Sequence, residues 1–138
     1  MITNTKKYEL RKIIDAEHGK DFSKNIDLSG WTFYRGSSFI SFKILSINDI
    51  NTAVIKYVYI TNKDDLVKLL ATCMNFWELN QVQMIYLLEH KRVANYVKKY
   101  FVETLGFDLI DEVRPGVWAY NFKSTNGYKE EDILEYFV

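Results

Sequence analysis

A chain of 138 residues, 48% apolar, 16% aromatic and 26% charged, has the size and content of one domain that builds its core without metals or disulfides. Eighteen Lys and Arg balance eighteen Asp and Glu, so the overall basic excess of a general nucleic-acid binder is missing, and a lone Cys73 excludes an internal disulfide. No segment resembles a signal peptide or approaches the roughly 20 apolar residues of a membrane span, so a single soluble domain (1–138) in a reducing cytoplasm is expected.

In chain order, KKYELRKIIDAEHGK (6–20) opens polar and places Leu10, Ile13 and Ile14 at helical spacing before Gly19, a terminator. A turn-rich stretch (21–30), with room for one helical turn, follows. WTFYRGSSFISFKILSI (31–47) holds two β-rich runs around the turn signal RGSS, which predicts a hairpin. After a turn at NDIN (48–51), TAVIKYVYIT (52–61) is almost wholly β-branched or aromatic. Both its faces call for burial, the mark of a central strand.

From Asp64 the period changes. Leu66, Leu69, Leu70, Cys73, Met74 and Trp77 recur at i, i+3, i+4, i+7, i+8 and i+11, the stripe of a core-facing helix. Asn80 and Gln81 end it, and VQMIYLLE (82–89) is another buried-type strand. KRVANYVKKYFVETLGF (91–107) predicts a second long helix, with Ala94, Val97, Phe101 and Leu105 inward and Gly106 as its C-terminal cap. FDLIDE (107–112) and VWAYNF (117–122) form a hairpin around VRPG. GYKEEDILEYFV (127–138) reads as a last helix with Ile133, Leu134 and Phe137 inward. Helices interleaved with a mostly buried sheet predict an α/β fold: a mixed, largely antiparallel central sheet flanked by helices on both faces.

Within NYVKKYFVETLGF, Asn95, Glu103, Leu105, Gly106 and Phe107 stand at offsets typical of the GNAT acyltransferase superfamily, and a strand pair follows. Together with the element order, the chain resembles that family over roughly residues 31–122. The resemblance implies a GNAT-like fold in which acetyl-CoA wedges between two central strands. Val58, Tyr59 and Ile60 would then hold the pantetheine arm, with Lys63 and Asn95 also on the cofactor.

Two departures accompany it. The family's strand-to-helix loop is rich in glycine, and its backbone N–H groups hold the CoA pyrophosphate at a helix N-terminus. Here ITNKDDLVKLL is shorter and has no glycine. Thr61 or Asn62 can cap the helix, with Asp64 or Asp65 near the third position closing a capping box. Those carboxylates satisfy the same donors and repel phosphate, with Lys63 and Lys68 the nearby cations in the sequence. The position of the family's general-acid tyrosine holds Val102, and Tyr100, two residues earlier, points about 200° away around the helix.

Other candidates follow from residue type. Glu89 and His90, at a strand exit, could supply a general base that deprotonates an amine, or simply solvate a loop. Tyr57 and Tyr59 share a strand face with Ile55 alongside, either lining an acyl cleft or packing as core with tethered hydroxyls. Lys56, opposite them, either snorkels to an edge or lies in a pocket. His18 suits a helix C-terminus, and Cys73 falls on an apolar stripe. No metal-ligand spacing, Walker loop or nucleophile elbow is present. Lys91, Arg92, Lys98 and Lys99, beside Tyr96 and Tyr100, form a basic, aromatic helix surface that could meet nucleic acid, an acidic partner or CoA phosphates, or remain a solvated face.

The departures favour a degenerate GNAT-like protein that binds a macromolecular partner. The Asn-, Ile-, Tyr- and Lys-rich composition fits an AT-rich genome, such as a phage or a low-GC bacterium. The alternative is an acyl-CoA-dependent N-acyltransferase with an atypical cofactor loop. Nucleic-acid binding through the 91–100 face is a third reading, and the aromatic tail would suit a homodimer.

Overall fold

The computed structural model describes residues 4–26, 29–88 and 91–122, with the backbone alone for 4–7, 91–96, 111 and 114. Helix α1 (Asn4–His18) and a 3-10 turn (Phe22–Asn25) precede β1 (Trp31–Arg35), β2 (Ser38–Ile47) and β3 (Ile50–Tyr59). Helix α2 (Lys63–Leu79), β4 (Met84–Leu88), α3 (Lys91–Glu103), β5 (Asp108–Arg114) and β6 (Val117–Asn121) complete the order. The predicted segment 127–138 lies outside the described residues.

Local chemistry fixes the joints. Asn48 and Asp49 take φ of 52° and 65° between β2 and β3. Two successive left-handed residues match the right-handed twist of strands joined by a two-residue hairpin, and Asn and Asp tolerate that region. Helix α3 ends earlier than its sequence pattern predicts. Thr104 and Leu105 N–H both reach the Tyr100 carbonyl, Phe107 N–H reaches the Phe101 carbonyl, and Gly106 takes φ of 68°. The last turn is thereby closed before Phe107, as a left-handed glycine cap does.

The described strands form one six-stranded sheet in the order β1-β2-β3-β4-β6-β5. Only β3 and β4 run parallel; every other neighbouring pair is antiparallel. The α/β class, the mixed and largely antiparallel sheet and the helices on both faces are as the sequence predicts. All six residues of the α2 stripe are buried, in one cluster with Ile40, Phe42, Ala53, Ile55, Ile85 and Leu87 of the sheet and Val97 and Phe101 of α3. On the opposite face, Leu10 and Ile14 of α1 pack with Ile26, Phe39 and Tyr57. Arg11 Nη1 donates to the Ser23 carbonyl at 2.6 Å, and Ser23 N–H donates to Asp15 Oδ1 at 2.7 Å, fixing the 3-10 turn to α1.

One expectation fails at β3. Ser41 pairs with Tyr57 while Phe42 pairs with Ile55, so Lys56 is an extra residue in the strand. This β-bulge breaks the period-two alternation. Ile55 faces α2 and α3, but Tyr57 and Tyr59 face α1. Ile55 therefore does not lie alongside the two tyrosines.

Candidate functional site

The register of β3 and β4 runs from Thr52↔Met84 to Ile55↔Leu87. Beyond it, β3 continues to Tyr59, still paired with β2 but with no β4 partner among the described residues. The bulge at Lys56 falls at this parting. Bulges bend a strand and raise its local twist, so β3 is deflected where it leaves its parallel neighbour. In α/β sheets, ligands collect beyond the carboxyl ends of parallel strands, because backbone groups and loops diverge there.

A groove of about 380 Å³ runs from the still-paired part of β3 and β4, at Val54 and Tyr86, to this parting, lined by Leu45, Ile47, Val54, Lys56, Tyr86, Leu88, Val113 and Val117. Among these lining side chains, Lys56 and Tyr86 carry polar groups and the others are aliphatic. Lys56 is thus a groove residue, the second of its two predicted placements. Glu89 and His90 lie outside the described residues, although Leu88, which precedes them, lines the groove.

The start of α2 is closed by its own side chains. Asn62 is the N-cap, and its Oδ1 accepts from Asp65 N–H at 2.9 Å. Asp65, at the third helical position, turns its carboxylate back towards the strands. Its Oδ2 accepts from Ser38 Oγ at 2.9 Å, Asn62 Nδ2 at 3.1 Å and Thr61 Oγ1 at 3.2 Å. Arg35 Nε stands 3.5 Å from Oδ1. The predicted capping box therefore closes differently: Asp65 bonds the Asn62 side-chain amide in place of the backbone N–H. Lys68 Nζ is 3.0 Å from Asp64 Oδ2. With Asp65 9% exposed, a buried carboxylate occupies the ground where an anion would meet the positive end of the α2 dipole.

The remaining predicted site residues are scattered. Tyr100 is 4% exposed in the α2/α3 core and is not among the groove's lining residues. Val102 is 41% exposed. Val58 belongs to the α2/α3 core and Ile60 packs against it, whereas Tyr59 packs on Phe39 at 5.9 Å beneath α1. Lys63 is the first residue of α2. The side chains of Lys91, Arg92 and Asn95 lie outside the described residues. Lys98 Nζ sits 3.7 Å above the Trp118 ring, a cation–π contact that draws it onto the sheet, while Lys99 is exposed.

The sequence reading missed a cluster at the end of α1. His18 Nε2 and Tyr57 Oη are 2.5 Å apart, and Tyr57 O–H donates to Glu17 Oε2 at 3.3 Å. His18 also stacks on Phe22 at 4.3 Å. Burial first, and then the Glu17 charge, push the Tyr57 phenol far above its usual pKa, so it stays protonated and acts as a tether. No group of three or more His, Cys, Asp or Glu among the described residues could hold a metal, and no described helix is long and apolar enough to cross a membrane. No known family model matches the chain, and neither does any curated protein.

Proposed function

We propose that this chain is a divergent GNAT-like protein that acts by binding a macromolecular partner and no longer transfers acyl groups. The buried Asp65 carboxylate carries the reading. A pyrophosphate at the start of α2 would lie against this charge, and the N–H of Asp65 is already bonded to Asn62. Moving Asp65 aside would break three hydrogen bonds to Ser38, Thr61 and Asn62. The burial of Tyr100 and the presence of Val102 at the general-acid position support the same conclusion.

A second reading, an N-acyltransferase with an atypical cofactor loop, is supported by the parting of β3 and β4 at the Lys56 bulge. There the edge of β3 from Lys56 to Tyr59, which no described residue of β4 pairs, could bond the amides of a pantetheine arm. Titration of the full chain with CoA and acetyl-CoA separates the two. Under the binding reading, neither calorimetry nor thermal unfolding responds at millimolar ligand. Saturable micromolar binding, which would stabilise the fold by about 2.7 kcal/mol at a hundredfold excess over Kd, would overturn it.

A further inference from the structure

We propose that α1 and the 3-10 turn form a gate that leaves the sheet as one unit while the α2/α3 side stays folded, with the Tyr57 hydroxyl as its catch. Its opening uncovers Phe39, Tyr57 and Tyr59, three neighbouring rings of β2 and β3.

The two faces of the sheet hold their helices unequally. Nine of the 17 residues of α2 are buried. Among the described side chains of α1, Leu10 and Ile14 alone are. Docking strength grows with the apolar area removed from water, so α1 is the more loosely seated of the two. The clusters are also separate: the residues packed under α1 share none with the α2/α3 core, which therefore survives its departure. Free in water, a helix of 15 residues is marginal, so undocking and unwinding of α1 coincide.

The hydrogen bonds decide what moves with what. Arg11 Nη1 to the Ser23 carbonyl at 2.6 Å, Ser23 N–H to Asp15 Oδ1 at 2.7 Å and Gly19 N–H to the Asp15 carbonyl at 2.8 Å all lie within the unit. The stacking of His18 on Phe22 does as well. Helix and turn thus hold each other and depart together. The polar contacts described between this unit and the sheet converge on Tyr57 Oη, which meets both Glu17 and His18 at the last turn of α1. They secure the end of the helix, where fraying begins.

Hydrogen exchange of the native full chain, followed amide by amide by NMR through sub-denaturing urea, tests the gate. Where exchange follows the opening equilibrium, α1 amides are expected to exchange about a hundredfold faster than the slowest of α2, with a common, smaller urea slope. Cys73→Ala, inside the α2 stripe, should speed exchange in α2 and leave α1 unchanged. Tyr57→Phe should speed α1 about tenfold, as two partly buried groups lose a partner. Equal rates and slopes in α1 and α2, or acceleration of both by Cys73→Ala, would mean that α1 leaves only in global unfolding and would overturn the gate. Exchange in α1 that ignores urea would show its bonds fraying singly and overturns it too. If Tyr57→Phe leaves α1 exchange unchanged, the hydroxyl is not the catch and that half of the proposal falls.

Discussion

His18 Nε2 lies 2.5 Å from Tyr57 Oη, and Glu17 Oε2 lies 3.3 Å from the same oxygen, so one phenol fastens the end of α1 to the middle of the sheet. The ring is 2% exposed and stacks on Phe39 at 5.8 Å. Tyr57→Phe keeps the ring and removes both polar contacts. It should cost about 1–2 kcal/mol, since two partly buried groups each lose a partner. Urea unfolding of the two proteins at neutral pH measures this; an unchanged midpoint would show that the tether adds no stability.

Stability should decline in alkali. Burial alone raises the Cys73 thiol pKa, and burial with the Glu17 charge raises that of Tyr57. For each, the folded value lies above the unfolded one, so the contribution is complete below the unfolded pKa, about 8.5 for a thiol and about 10 for a phenol, and is lost as pH rises beyond it. The unfolding free energy should begin to fall near pH 8.5 and steepen above pH 10, by up to about 1.4 kcal/mol per pH unit for each group. Cys73→Ala should flatten the first part of the decline and Tyr57→Phe the second. Native protein should also resist thiol reagents at pH 8, labelling only as fast as it unfolds.

Asp65 and Arg35 form an ion pair, but their weights differ greatly. Asp65→Ala strands the buried Ser38 hydroxyl and the Thr61 and Asn62 groups that it satisfies, and should cost about 3 kcal/mol. Arg35 is half exposed and 3.5 Å from its partner. Arg35→Ala should therefore cost at most about 0.5 kcal/mol. Denaturant melts of both variants provide the comparison, and equal losses would place the energy in the ion pair and not in the neutral donors.

Two glycines set a similar contrast. A Cβ on Gly30, at φ 97°, would come within 2.7 Å of both the Phe42 carbonyl oxygen and Lys43 Cγ. One on Gly36, at φ 59°, would meet nothing within 4 Å. Gly36→Ala should cost about 1 kcal/mol through backbone strain alone, and Gly30→Ala about 3 kcal/mol, because the carbonyl belongs to β2 and cannot move without breaking the sheet. Thermal unfolding temperatures should rank parent, then Gly36→Ala, then Gly30→Ala.

The elements legible in the sequence are those whose burial follows one period. Leu66 to Trp77 keep helical spacing for three turns, and Gly106 marks a glycine cap. Asn62 as a cap was also within reach, because capping is decided by residues three apart. The Lys56 bulge was not. VIKYVYI is apolar on both faces, so a slip of one residue leaves no trace in its hydrophobic pattern. Nor was the His18–Tyr57 contact, which spans 39 positions and exists only because Leu10 and Ile14 seat α1 on that sheet face. The groove combines residues of β2, β3, β4 and β6 with Val113 of β5, and no local pattern joins them.

The extra residue makes β3 two half-strands set out of phase. Upstream of Lys56, odd-numbered side chains enter the α2/α3 core; downstream, even-numbered ones do. With Lys56 kept but forced into regular pairing, Tyr57 and Tyr59 would turn into a core already filled by Ile40, Leu66 and Leu70, and α1 would lose the ring it rests on. The position of α1 is thus decided inside the strand beneath it, by the register of that strand as much as by its composition.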